Sequence, residues 1–260
     1  MPITITALIF ARNNADEIAE CVQSARLLCD NITVIDIGSD DDTRKIAIKA
    51  GSRVTTIEPV EYVEPARAAG IATVKTDWVF ILDADERMSE PLALEIKKTI
   101  QLTNHTHLKV PRKNIFARRV WLRHGGWWPD AQTRLFQTKA IKEWPARIHA
   151  TPIIEGTMGH MTHAFLHYFH GDFALMVQKT IKYESIEASL LARAHTAAGT
   201  LIFMRKFAGE LYRRLIKNRG YKDGVVGYME SVYQAYSKTI TYLIVFEQRT
   251  KRIAEAHRPD

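Results

Sequence analysis

Three acids carry the chemistry this sequence offers most openly. Asp83 and Asp85 stand one residue apart in "TDWVFILDADERM" (76–88), and Asp130 lies in "WWPDAQTRLF" (127–136). The first two close an apolar run, Trp78 to Leu82, of the kind that makes a buried strand. Unpaired carboxylates do not enter apolar cores, so acids ending such a run are ligated, paired or at the surface. Carboxylates at i and i+2 on a loop leaving a strand can converge on one hard cation, and oxygen ligands select Mg²⁺ or Mn²⁺ over softer metals. A cation held by so few side chains keeps open positions for diphosphate oxygens. The alternative is a solvated turn capping a helix that starts near Ser89; a bare Asp-x-Asp is weak evidence, and Asp40 and Asp42 form another. Asp130 follows Pro129 and precedes a strand-like run, which puts it on a loop, as a working acid or in an ordinary Pro-Asp turn. Trp127 and Trp128 beside it either stack on a ligand or pack.

Four of the ten histidines fall in "GHMTHAFLHYFHGD" (159–172). His160, His163, His167 and His170 recur at three or four residues, a spacing that could line one helical face like a zinc site. No cysteine or Glu-x-x-His pattern supports zinc there, and most of these histidines read as surface or structural. Cys21 and Cys29 lie in one expected helix, about 12 Å apart at a rise of about 1.5 Å per residue, too far to bridge. They read as small buried hydrophobes in a reducing compartment.

The elements that must position these groups alternate. Strands are expected at 3–10, 32–38, 53–58 and 77–82, and helices at 14–29, 40–51, 64–76 and 89–101. The last helix has a Ser89 N-cap and Pro91 in its first turn. Four strand–helix repeats with short connections predict an α/β fold: a doubly wound, mostly parallel sheet covered on both faces. Ligands of such sheets bind beyond the carboxyl ends of the strands, which is where Asp83 and Asp85 fall. After the first strand the residues are "FARNNADE" rather than G-x-G-x-x-G, and no Gly-Lys-Ser/Thr occurs anywhere, so phosphates are left to metal and basic side chains. From about 104 the chain mixes strand-like and basic residues. From about 172 it reads as helical, at 172–195, 197–219 and 225–248. The expected division is 1–170 for the α/β domain and 171–260 for a helical C-terminal extension.

The 260 residues, 46% hydrophobic and 25% charged, are enough for a large core. The net charge of +7 and pI near 9.4 favour anionic partners. Residues 205–222 carry seven Lys/Arg against one Glu. That stretch reads as a solvated face, as an interfacial surface with Leu201, Ile202, Phe203, Leu211 and Leu215, or as a grip on a phosphorylated acceptor. The N-terminus lacks the charged region and cleavage site of a signal peptide, and no spanning helix is expected. The chain is therefore expected to be cytoplasmic, touching a membrane surface at most.

On "TALIFARNNADEIAECV" (6–22), "VIDIGSDDDT" (34–43), "ARAAGIATVKTDWVFILDADE" (66–86) and "GGWWPDAQTRLF" (125–136) the chain resembles family 2 glycosyltransferases of the GT-A fold. The segment "YRRLIKNRGYKDGVVGYMESVYQAYSK" (212–238) resembles one branch, the bacterial lipopolysaccharide inner-core β-glucosyltransferases. The resemblance implies an inverting, metal-dependent transfer of a sugar, glucose in that branch, from a UDP-sugar to a lipopolysaccharide core or similar envelope glycan. It implies that Ala11, Arg12, Asn13 and Glu17 surround the nucleotide and that Asp36 accepts from the uracil N–H. Arg67 would approach the diphosphate. Asp83 would contact ribose or metal, Asp85 would be the main ligand of Mg²⁺ or Mn²⁺, and His167 a late one. It makes Asp130 the catalytic base, with Trp128, Gln132 and Arg134 on the acceptor side.

The chain departs from the family pattern at three places. The first Ser of D-S-x-S-x-D is replaced in Asp36-Ile37-Gly38-Ser39-Asp40-Asp41, an expected Asn is Ala69, and an expected His-Glu pair is His149-Ala150. Transfer to a polyprenyl phosphate is a competing reading, weakened by the lack of expected spanning helices. A non-enzymatic nucleic-acid binder lacks any recognisable module, and no nucleic acid is expected as a partner.

Overall fold

The computed structural model describes residues 3–60, 62–146, 150–169, 173–193 and 199–256. Cα proximity groups the chain into two compact units, residues 1–113 with 130–167, and residues 114–129 with 168–260.

The first unit is built on strands β1 (Ile5–Ala11), β2 (Ile32–Ile37), β3 (Arg53–Ile57) and β4 (Trp78–Asp83). Between them run helices α1 (Ala15–Ala25), α2 (Thr43–Lys49) and α3 (Val63–Ala72). A short strand β5 (Glu86–Arg87) and helix α4 (Glu90–Leu102) lead to the long β6 (His107–Phe116). β8 (Ala131–Gln137), β9 (Ile141–Glu143), β10 (Ile153–Ile154), β11 (Met158–His160) and the start of β12 (Phe165–Phe169) follow, while β7 (Val120–Trp121) falls in the second unit. The sheet order is β3-β2-β1-β4-β8-β6. The first four strands are parallel, and β8 and β6 add antiparallel. The expected doubly wound, mostly parallel α/β sheet is therefore present.

Its architecture follows from the strand period of two. On β1, Ala7 and Ile9 face one apolar cluster with Ile18 and Val22 of α1 and with Leu92 and Ile96 of α4. Leu8 and Phe10 face a second cluster with Ile35, Ala66 of α3, Phe136 and Trp144. Burial on both faces explains why β1 and β4 read as nearly continuous apolar runs, and each fully buried Leu, Ile, Val or Phe contributes about 1.5–3 kcal/mol. β3, at the sheet edge, is mostly exposed. Gly70 lets α3 lie close to the sheet: a Cβ there would stand 2.8 Å from the Phe10 ring. Ser89 caps α4, accepting from Leu92 N and donating to Ala164 O at 2.7 Å. α2 starts at Thr43 rather than near Asp40, because the Asp41 carboxylate takes the Thr43 amide and hydroxyl and holds the preceding residues in a turn.

The second unit contains helices α5 (Phe173–Arg193), α6 (Thr200–Leu211) and α7 (Gly224–Ala256). The helix expected over 197–219 is not continuous: α6 gives way to a π-helical turn, Tyr212–Lys217. Segment 114–129 is tied to this unit by Asp223, whose carboxylate accepts from the Arg123 and His124 amides at 2.8 Å. Arg214 also donates to Gly125 O at 3.1 Å. Among the described residues no helix is long and apolar enough to cross a membrane.

Candidate functional site

Asp83 ends β4 with its backbone N–H donating to Glu86 Oε2 at 2.9 Å, a turn that brings both acids to the strand's carboxyl end. Arg67, from α3, donates to both Asp83 oxygens at 3.1 and 3.2 Å. Arg134, from β8, places one nitrogen 2.7 Å from Asp83 Oδ2 and 2.6 Å from Glu86 Oε1. Glu86 is fully buried, and Arg112 of β6 lies 3.7 Å from it. The same Arg112 donates through Nε to Asp130 Oδ2 at 2.7 Å, while Gln132 donates to Asp130 Oδ1 at 2.8 Å. One chain of charge thus runs Arg67–Asp83–Arg134–Glu86–Arg112–Asp130, wholly inside the first unit.

The electrostatics are those of desolvated pairs. Burial pushes the Asp83 carboxyl upward, but the Arg134 and Arg67 guanidiniums outweigh it and hold the pKa well below the carboxylate range. At Glu86 burial wins and the carboxyl is raised, with Arg134 opposing and Asp83 reinforcing. At Arg134 burial opposes the charge, and Asp83 and Glu86 more than restore it. Removing one member of such a buried set leaves an uncompensated charge.

Asp85 sits on the loop just past β4, its Oδ2 3.7 Å from His167 Nε2. β12 delivers His167 by pairing antiparallel with β5, opposite Glu86. The helical face expected for the histidine cluster is corrected here. His160 and His167 lie on strands β11 and β12, and His163 hydrogen-bonds Glu95 of α4. His170 and His149 lie outside the described residues. Among the described residues no group of three or more His, Cys, Asp or Glu side chains is placed to hold a metal.

Of the residues expected around a nucleotide, Ala11 and Asp36 lie at the carboxyl ends of β1 and β2, Arg12 and Asn13 on the loop after β1, and Glu17 on α1. Asn13 adopts φ 53°. Its N–H donates to Ser39 Oγ at 3.0 Å and its Oδ1 accepts from Asp40 N at 2.9 Å. Arg12, following the buried Ala11, reaches Val60 O at 3.0 Å. Asp36 is fully buried, accepts from Ser39 N at 3.3 Å and faces Arg44 at 3.5 Å. Glu17 on α1 pairs with the buried Arg87. Trp128 belongs to the second unit and packs edge-on against Trp121 at 5.4 Å. Trp127 lies 4.8 Å from Phe169. Sequence reading missed Glu86 and Arg112. Glu86 was visible as the last letter of "DADE"; Arg112, one basic residue among many in 109–123, carried no local signal.

The family model "Glycosyl transferase family 2" matches residues 6–178. An uncharacterized glycosyltransferase from Rickettsia conorii is 36% identical over 93 residues, covering 36% of this chain and 33% of the relative. A TPR repeat-containing protein from Synechococcus elongatus is 31% identical over 116 residues, covering 45% and 29%. The chain thus aligns with about a third of the length of the curated relatives it matches. Glucosyl-3-phosphoglycerate synthase from Mycobacterium tuberculosis, solved with Mn²⁺ and UDP-glucose, superposes with a TM-score of 0.46 at 18% identity, covering 76% of this chain and 81% of that one.

Proposed function

The chain belongs to glycosyl transferase family 2, and from that premise we propose that it moves a hexose, glucose by the branch resemblance, from a UDP-sugar to a hydroxyl of a lipopolysaccharide core or similar envelope glycan, with inversion at the anomeric carbon. The observation that carries this reading is the linked set beyond β4. Acids, guanidiniums and Asp130 converge where a doubly wound sheet presents its ligands.

In this reading the loops after β1 and β2 hold the nucleoside, with Asp36 facing the base, and Arg67 faces the diphosphate. Asp85 and His167 suit a divalent cation. One carboxylate oxygen and one imidazole nitrogen 3.7 Å apart can share an ion at bonds of about 2.1 Å and leave the remaining positions to phosphate oxygens and water. Such an ion, Mg²⁺ or Mn²⁺, would stabilise the negative charge of the departing diphosphate. Asp83, saturated by two arginines, positions Arg67 and Arg134 in this scheme more than it ligates. Asp130 takes the acceptor hydroxyl proton as that oxygen bonds to the anomeric carbon and the bond from that carbon to the diphosphate oxygen breaks. Arg112 and Gln132 aim its carboxylate. Gln132 and Arg134 stand on the acceptor side.

The second unit exposes Leu201, Met204, Tyr212 and Ile216 among Arg205, Lys206 and Lys217, a composition suited to an anionic membrane surface. We place the protein in the cytoplasm, peripheral at the inner face of the cytoplasmic membrane.

The test is thermal melting with UDP, GDP or ADP, each with Mn²⁺ or with EDTA. A ligand at about 100 times its Kd adds about 2.7 kcal/mol, roughly 5–10 °C for a chain of this size. Stabilisation by UDP with Mn²⁺, absent with GDP, ADP or EDTA, is expected; no shift with any nucleotide refutes the reading.

A further inference from the structure

Beside the strand-end acids, and within the first unit, a cavity of about 540 Å³ opens over β6 and β8, against α3 and residues 150–154. Arg67, Lys109 and Arg134 bring three cations to its wall, and Glu64 is the acid among the described residues lining it. Two buried side chains of that wall hold donors that no described residue satisfies. Arg134 spends one nitrogen on Asp83 and Glu86, while its Nε and Nη1 have no partner among the described residues. Trp144 Nε1 is in the same position, and its ring packs 5.5 Å from the Arg67 guanidinium and edge-on to Phe136. Arg134 is 4% exposed and Trp144 8%, so bulk water does not readily serve them. A buried donor without a partner is costly. Both side chains line one cavity whose Arg67, Lys109 and Arg134 charges favour an anion. His107, on the same wall, has its pKa lowered by burial and by His105; it is neutral near pH 7 and adds hydrogen bonding rather than charge.

We infer that this cavity is an oxyanion subsite for the acceptor, taking a phosphate or carboxylate group carried by the acceptor sugar. The volume exceeds what a phosphate needs and falls in the range of ligand pockets, so the oxyanion is one end of a larger molecule. Ala11, Arg12, Asn13 and Asp36 line none of it, whereas Gln132 and Arg134 do; Arg67, which faces the diphosphate in the proposed scheme, is the wall residue it shares with the donor side. Planar guanidinium and indole N–H donors suit the oxygens of phosphate and carboxylate. The inference rests on the transferase reading for the word acceptor, and on the cavity alone for the oxyanion.

The experiment is calorimetric titration of the full chain with inorganic phosphate, in the absence and presence of saturating UDP and Mg²⁺, repeated on Trp144→Phe and Lys109→Met. Trp144→Phe removes only the indole N–H and keeps a ring against Phe136; Lys109→Met, at the cavity wall, guards against loss of fold in the first variant. Phosphate is expected to bind with and without UDP, and each variant to weaken it about tenfold, the loss of one hydrogen bond to a charged group, with UDP affinity unchanged. No phosphate binding in the millimolar range, or equal affinity in both variants, overturns the subsite. Displacement of phosphate by UDP overturns the acceptor assignment and makes the cavity part of the diphosphate site. Phosphate binding without any UDP binding leaves the subsite standing and refutes the transferase reading instead.

Discussion

Asp83 and Asp85 are separated by one residue and chemically alike, yet their surroundings differ. Asp83 is locked between Arg67 and Arg134, while Asp85 stands by His167 on the loop beyond. Asp85→Ala is therefore expected to leave the melting temperature of the free protein within about 1 °C, because it removes a half-buried loop side chain. It should abolish the Mn²⁺-dependent stabilisation by UDP and lower turnover by about 10³ or more. Retained turnover would dismiss Asp85 as a ligand. Asp130→Asn keeps the shape and loses the carboxylate proposed as base, so kcat is expected to fall by about 10²–10⁴ with UDP affinity unchanged; a variant that loses UDP binding instead would place Asp130 on the donor side. The acids and Arg134 were legible as candidates from residue type and position after a strand. Their partners were not, since Arg134 meets Asp83 across 51 positions and Arg112 meets Asp130 across 18, separations that no local pattern reports.

At the scale of elements, the apolar runs of β1, β2 and β4 and the Ser89–Pro91 start of α4 were readable because burial on both faces and end capping leave local signatures. The histidine segment misled for a physical reason. Intervals of three and four residues over 160–170 mimic a helix, but "AFLHYF" is a short aromatic run that pairs as a strand. Helix α7 carries a charge that helical spacing alone would place in solvent. Glu230 is buried, and burial pushes its carboxyl from 4.5 up to about 7, with Gln234 and Arg214 opposing. The folded state therefore keeps a proton that the unfolded chain releases between those values. Stability from this group is full below pH 4.5, declines as pH rises and is lost above 7, a difference of about 3 kcal/mol. Glu230→Gln is expected to match the parent protein in melting temperature near pH 4.5 and to melt higher at pH 8. A gap that does not widen with pH would contradict this account.

At the scale of the molecule, a net charge of +7 combines with exposed apolar residues in the second unit, Leu201 and Met204 among them. Cosedimentation with vesicles containing anionic lipid is expected, with much less binding to neutral vesicles and release as salt shortens the Debye length; equal binding to both vesicle types would remove the electrostatic basis of the peripheral reading. The sequence by itself determined the strand–helix alternation, the two-faced burial of the central strands and the position of acids at the end of β4. These follow from period, apolar runs and turn chemistry, which act over a few neighbouring residues. Only the tertiary structure decided which cations neutralise those acids, that His167 comes to Asp85 from a strand, and that Arg134 and Trp144 meet at one cavity with donors unspent. Those outcomes depend on strands far apart in the chain being brought side by side, and pairing across a sheet is set by the packing of the whole core rather than by any one segment.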